Sequence, residues 1–373
     1  MSIVVDPKNL FDKAIGIYVN PSGDGRSWER QMMLEQINPN GDDDGFSVPA
    51  GIRIRGAASR GGGNPMHSLR LFLRDEYGAA KLRFPLFGTE GAATFDKVDL
   101  RCSQNYSWAQ NGGHSDSLVH EVFSRDCQRD LGQAYTRSRF LHVFLNGVYW
   151  GLYQTQERAE VAYGETYFGG DRENWDALKF PRGAVDGTRD AYNAFWHIAV
   201  EEGFGPNHPE NYMKAQGRNP DGSRNPEYPV YLNTENLMAY VLSNQYMIDF
   251  DSPVSRFGGW VNNLVVSRDR SAASAGFLWF RHDAEHSLGI IGNGPRENCL
   301  PWGEEDKFRQ QPQFNPCTLH SLLMKDPVYH KDFEDYVQRT CFGDGAMTTT
   351  NCILRYRARM AEIDDAVVCE AAR

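Results

Sequence analysis

The segment 140–158, FLHVFLNGVYWGLYQTQER, constrains this chain more than any other stretch. Asn146 and Gly147 sit between two runs rich in β-branched and aromatic residues, and both tolerate the positive φ that a two-residue hairpin turn requires. The segment therefore predicts an antiparallel hairpin. Residues 14–20, 50–56 and 68–73 alternate apolar and polar side chains with period two, as half-buried strands do. The loop Ser59-Arg60-Gly61-Gly62-Gly63-Asn64-Pro65 joins the last two, so a second hairpin with a mobile, glycine-rich tip is expected. Whatever else the chain does, its first part must build a sheet.

From Ser115 the period changes. Leu118, Val122, Phe123 and Leu131 fall on one helical face, with Ser115 as N-cap and Gly132 as stop. Residues 190–200 read as helix, and 203–229 as a long surface loop rich in Gly, Pro, Asn and Asp. Thr234 is expected to cap a helix running to about Met247, with Glu235 and Asn236 in its first turn. A polar stretch, 249–263, leads to two apolar strands, 264–266 and 277–280, joined by a Ser/Ala-rich turn. Helices near 319–337 and 349–368 close the chain. Strands first and helices later predict an α+β fold: one domain with a sheet-rich N-terminal lobe (1–180) and a mainly helical C-terminal lobe (181–373).

Composition excludes several classes. Of 373 residues 40% are apolar and 12% aromatic, too many for a disordered chain. With 39 basic and 49 acidic residues the net charge is −10, which argues against nucleic acid as main partner. No apolar run approaches the roughly 18 residues a membrane span needs. The seven cysteines form no CxxC pair. Cys299 with Cys317, and Cys341 with Cys352, are spaced to close short loops in an oxidising compartment, the other outcome being buried free thiols. The start lacks a signal-peptide pattern and the end stops inside a helical stretch, so a trimmed domain of a longer protein is expected. Trp150, Trp260, Trp279 and Trp302 read as core rather than as a sugar-stacking platform.

The chemistry-bearing residues come in a suggestive order: a helix, Asp251, the amides Asn262 and Asn263, a hairpin, then Asp283 and Glu285. Protein kinases use this order, the first Asp orienting the attacking hydroxyl while the Asn and second Asp hold metal. Hard oxygen ligands are what fixing Mg²⁺ against a triphosphate demands. Taken singly, acids at strand ends are solvated turn residues. His282-Asp283-Ala284-Glu285-His286 also fits the H-x-x-E-H pattern of inverted zinc peptidases, which requires both imidazoles on one helical face. The segment follows a strand and is poor helix material, however, and no downstream helix offers an obvious third ligand, Glu297 and Glu304 being the remaining candidates. Phosphate contacts fall to Arg55, Arg60, Arg70 and the amides of Gly61 to Asn64. Glu157 is placed to pair with one of these arginines or to ligate metal. No G-x-S-x-G elbow supports serine hydrolysis.

Several segments together resemble the CotH family of kinase-like spore-coat proteins, found also as domains of bacterial surface proteins. They are GIRIRGAASR at 51–60, PMHSLRLFLRDEYG at 65–78, LRFPLF at 82–87, FSRDCQRDLG at 123–132, HVFLNGVYWGLYQTQERAE at 142–160, HDAEHSLG at 282–289 and AEIDDAVVCEAAR at 361–373. The resemblance implies an atypical, two-lobed protein-kinase fold that binds ATP with Mg²⁺ or Mn²⁺ and phosphorylates Ser or Thr of a protein substrate at a spore coat or cell surface. By this resemblance Asp251 is the catalytic carboxylate, Asn263 and Asp283 hold metal with Glu285 in support, and Arg70 contacts phosphate; Arg55 and Glu157 are assigned to the nucleotide from their residue types and positions alone. Three positions depart from the family pattern. Met66 stands where a Lys is expected, His282 where Trp is common, and the interval from Asp251 to Asn263 is widened by Ser-Arg-Phe-Gly-Gly-Trp. The rival readings are a kinase-like binding module without activity, and zinc hydrolysis through His282 and His286.

Overall fold

The computed structural model describes every residue except 39–40, 42–43, 108–117, 272, 293–295 and 372–373. Helix and strand occupy 36% and 21% of the chain, the α+β composition expected. Contacts group the residues into two units, Met1–Leu118 with Arg137–Arg158 and Ala358–Arg373, and Val119–Thr136 with Ala159–Arg357.

The first unit is built on a closed barrel. Its elements in chain order are β1 (Ser2–Val4), α1 (Pro7–Phe11), β2 (Arg30–Gln36), β3 (Phe46–Ile54), β4 (Leu69–Phe72), β5 (Leu82–Arg83), β6 (Thr94–Phe95), β7 (Lys97–Cys102), β8 (Phe140–Leu145) and β9 (Val148–Gln156). Neighbours run β1-β2-β3-β4-β7-β9-β8, and a parallel pairing of β1 with β8 closes the ring. Leu34, Ile52, Leu71, Leu100 and Val143 fill the interior. Short strands β5 and β6 pair apart from it.

The predicted hairpin is β8–β9, with Asn146 at φ 50° and Gly147 at φ 81°. Asn146 does more than turn the chain. Its Oδ1 accepts from Val5 N at 2.8 Å and its Nδ2 donates to Val5 O at 2.9 Å, tying the turn to the chain just past β1. Gly147→Val should cost about 1–2 kcal/mol, because a β-branched residue resists the left-handed region; thermal denaturation measures it, and an unchanged midpoint would contradict the turn. The second hairpin is β3–β4, Ile52 opposite Leu71, its connection containing a 3₁₀ turn at Ala58–Arg60. Residues 14–20 are not a strand. Asp12 Oδ1 accepts from Ala14 N and Ile15 N, and the chain continues in turns, so local side-chain bonding overrides the alternating pattern.

The second unit contains α2 (His120–Asp130), α3 (Val161–Phe168), β10 (Trp175–Lys179), β11 (Gly183–Asp186), α4 (Asp190–Trp196), α5 (Asn211–Ala215), α6 (Thr234–Met247), β12 (Val254–Ser255), β13 (Trp260–Val261), β14 (Val265–Asp269), β15 (Leu278–Phe280), α7 (Pro316–Leu323) and α8 (Pro327–Cys341). Helix α9 (Thr349–Ala371) begins here and ends among first-unit residues. The predicted strands β14 and β15 belong to a sheet of order β11-β10-β14-β15. The sequence pattern did not mark β10 and β11. Helix α6 is buried nearly all round, against Trp279 and Leu319 among others, and this enclosure makes it the core of the unit.

Several boundaries differ from expectation for physical reasons. Asn233, not Thr234, caps α6, its Oδ1 accepting from Asn236 N at 3.0 Å. The helix expected over 319–337 is two helices, because Asp326 caps a new start at Pro327, which has no N–H to continue α7. The helix expected at 190–200 passes from α4 into a π-helical turn, His197–Glu202, and the 203–229 loop holds α5. Ser115, the expected cap of α2, lies outside the described residues; Gly132, at φ 74°, ends that helix as expected. Trp279 and Trp302 are core and Trp150 is partly buried, but Trp260, on a two-residue strand, is 47% exposed. All seven cysteines are free thiols, so of the two outcomes left open for Cys299 with Cys317 and Cys341 with Cys352 the free-thiol one holds. Cys127 and Cys352 instead share Arg355, whose Nη1 lies 3.4 Å from each sulfur. Among the described residues no helix is long and apolar enough to cross a membrane.

Candidate active site

Helix α6 ends at Ile248, whose left-handed φ of 51° turns the chain into Asp249, Phe250 and Asp251. Strands β12 and β13 form the widened interval as a small hairpin, Val254 opposite Val261, which folds back and returns Asn262 and Asn263 to Asp251. Both amides donate from Nδ2 to Asp251 Oδ2 at 2.9 Å, while Ser255 Oγ donates to Oδ1. The insertion thus keeps the acid–amide pair together. Burial pushes the Asp251 carboxyl up to about 6; the Asp283 charge adds to the rise, and the Ser255 and Asn hydrogen bonds oppose it.

Asp283 follows β15, and Asn263 precedes β14. Because Val265 pairs with Phe280, the hairpin register puts both at one end of the sheet. Lys179, at the end of β10, pairs with Val265 and so joins them; its Nζ lies 2.8 Å from His282 Nε2. Asn263 and Asp283 have positive φ, 50° and 60°, a left-handed conformation that Asn and Asp tolerate better than other residues with a Cβ. The Asp283 N–H is held by Glu121 Oε1 at 3.2 Å. Glu285 is partly buried, and its backbone carbonyl accepts from His120, whose imidazole burial lowers to about 4.

The geometry that the rival zinc reading requires is absent from this segment. Residues 281–290 form turns rather than a helix, so His282 and His286 do not present the i, i+4 face that motif needs. His282 Nε2 is engaged by Lys179, and the His286 ring packs on Phe257. Among the described residues no group of three or more His, Cys, Asp or Glu is gathered to hold a metal. Asp251, Asp283 and the amide oxygen of Asn263 offer hard oxygens instead. That donor set suits Mg²⁺ or Mn²⁺, which take one or two protein carboxylates and complete their shell with water and phosphate.

The basic residues expected at phosphate lie in the first unit. Arg70 Nε and Nη2 grip Asp99 Oδ1 and Oδ2 at 2.7 and 3.1 Å; Arg55 Nε and Arg158 Nη1 reach Oδ2 at 2.9 and 3.0 Å. Register alone sets Arg70 opposite Asp99 on β4 and β7. Three guanidiniums on one carboxylate leave an excess of two positive charges. Asp99 is buried, which raises its pKa, yet the arginines hold it well below the ordinary 3.8. Burial and the neighbouring Arg70 bring Arg158 down to about 9. Glu157 accepts from Arg137 N and Nη1 at 2.9 and 3.0 Å. Arg60 donates to Gly56 O and Gly23 O, and Met66 is buried in the barrel core.

Sequence reasoning missed Asp99, Arg158, Ser255, Lys179, Asp249 and Arg281. Arg158 closes the hairpin segment and Asp249 stands two residues before Asp251, signals that were present but carried no partner.

Asp251, Asn263 and Asp283 form an acid–amide–acid cluster at one end of a sheet, and family membership makes the chain a kinase-like protein. A family model described as "CotH kinase protein" matches residues 52–370, and the chain belongs to that family. Among solved structures, the chain is similar to the Helicobacter pylori proinflammatory kinase CtkA, at 10% identity over 74% of this chain and 90% of that chain, with a TM-score of 0.25. Comparison with curated protein sequences finds no match.

Proposed function

We propose that this chain is an atypical Ser/Thr protein kinase that transfers the γ-phosphoryl group of ATP to a hydroxyl of a protein substrate with Mg²⁺ or Mn²⁺. The observation that carries this reading is Asp251, fixed by Asn262, Asn263 and Ser255 with the Asp283 charge beside it. In this reading Asp251 orients the acceptor hydroxyl and accepts its proton, Asn263 and Asp283 supply metal-holding oxygens, and Glu285 supports them. A dication held there would neutralise charge on the transferring phosphoryl group. Membership of the CotH kinase family supports the class of reaction. Arg55 and Arg70, assigned to phosphate, stand in a cluster whose excess positive charge suits an anion. Glu157, assigned to the nucleotide, is bound to Arg137, which gives it the role of a buried ion-pair partner.

Intact mass after incubation with ATP and Mn²⁺ tests the reading, since a phosphate and a nucleotide add different masses. With an acceptor protein present, kcat/KM should rise with pH through about 6, where Asp251 loses its proton and becomes able to take one from the hydroxyl. No mass gain on protein or acceptor, with a melting temperature that ATP and Mn²⁺ raise, would favour the inactive binding module, to which the buried Met66 lends support.

A further inference from the structure

The segments carrying Asp251 and Asp283 are fastened to each other by a buried ion pair two residues before each. Arg281 and Asp249 are both 0% exposed. Asp249 Oδ2 accepts from Arg281 Nη2, and Asp249 Oδ1 accepts from the backbone N–H of Asp251 at 3.3 Å. One carboxylate therefore touches the main chain of the first site acid and the side chain that leads into the second.

Arg281 is itself fixed on every side. Its Nε donates to Ser124 Oγ at 2.9 Å, its Nη1 to Asn244 Oδ1 at 2.5 Å, and its backbone N–H to Gln128 Oε1 at 3.0 Å. Its guanidinium lies over the Tyr240 ring, 5.3 Å from the centroid. Tyr240 Oη in turn meets Ser252 Oγ at 3.1 Å, and Ser252 Oγ donates to the carbonyl of Asn263 at 3.4 Å. Two backbone bonds run beside the pair: Phe250 N to His286 O at 2.9 Å, and Leu288 N to Met247 O at 2.6 Å.

We propose that Arg281 and Asp249 are positioning residues whose ion pair sets the separation of the Asp251 and Asp283 carboxylates, and so the affinity of the site for a divalent cation. The inference rests on the kinase reading of those carboxylates. A buried ion pair is a poor source of stability, because desolvation offsets the attraction, and an apolar pair of similar volume commonly folds as well or better. What the apolar pair lacks is the rigid fork that holds three partners at once and the oxygen that grips the Asp251 amide.

Two variants test this, each melted and titrated with Mn²⁺ in the presence of a non-hydrolysable ATP analogue. Arg281→Lys keeps the charge but reaches fewer partners; Asp249→Leu with Arg281→Met replaces the pair by apolar side chains. Each is expected to melt cooperatively near the wild-type temperature and to bind Mn²⁺ about 10–100-fold more weakly, the usual effect of removing a group that orients metal ligands. A variant that melts like wild type and binds Mn²⁺ with wild-type affinity overturns the positioning role, and if one variant fails to fold the other decides. Loss of folding in both would show a purely structural pair and overturn it too. Wild-type protein that takes up no Mn²⁺ would overturn the kinase reading and this inference together, an outcome distinct from equal uptake by wild type and variants.

Discussion

Asp251→Asn is expected to lower phosphoryl transfer about 10³-fold while making the protein more stable at neutral pH. The two effects share one cause. Folding buries this carboxylate and raises its pKa from the ordinary 3.8 to about 6. Between those values the folded state binds more protons than the unfolded chain, so stability falls as pH rises through the window, and above it the full cost of the buried charge remains. A shift of this size corresponds to about 3 kcal/mol. The amide carries no charge, so the variant should gain up to that amount at neutral pH and nothing below the ordinary carboxylate range. Paired thermal melts at neutral and acidic pH measure the gain, and a transfer assay measures the loss. A variant less stable than wild type at neutral pH would mean that the hydrogen bonds from Asn262, Asn263 and Ser255 outweigh desolvation.

Asp99→Ala should be among the most damaging single substitutions in the first unit, at about 3–5 kcal/mol, because it leaves buried guanidiniums with no carboxylate to face. Arg70→Met should cost about 1–3 kcal/mol, less than Asp99→Ala, because Arg55 and Arg158 still face Asp99 Oδ2 while Oδ1 loses its Arg70 partner. Asp99 has the opposite sign to Asp251. Its folded pKa is depressed, so its contribution is present above the ordinary carboxylate range and is lost only as pH falls below it. Denaturant unfolding gives both numbers. Inorganic phosphate should raise the melting temperature of Asp99→Ala more than that of wild type, because an anion bound by the native state replaces the missing charge. Equal stability of Asp99→Ala and wild type would remove the argument for a charge-loaded cluster.

The site was partly legible in advance. Asp251, Asn263 and Asp283 stood out because a helix, an acid, an amide and a hairpin follow one another in a recognised order, and the structure places these residues around one end of one sheet. The widened interval looked like a departure, yet β12 and β13 absorb it without moving Asn263 from Asp251. Lys179 went unnoticed because its approach to His282 depends on β10 pairing with β14, and β10 has no alternating pattern to announce it. Residues 14–20 show the reverse error, a period-two pattern defeated by the Asp12 side chain bonding to the next turn.

The sequence by itself determined what short-range chemistry can decide, the Asn146-Gly147 turn and the stop at Gly132, and its motifs identified the family. Only the tertiary structure decided that β1 closes a barrel by pairing with β8, that three arginines converge on Asp99, and that Arg281 reaches back to Asp249. Turn and cap preferences act over a few residues and are written in neighbouring letters. A buried charge takes the partner that packing brings within hydrogen-bond distance, and burial makes that choice costly to refuse.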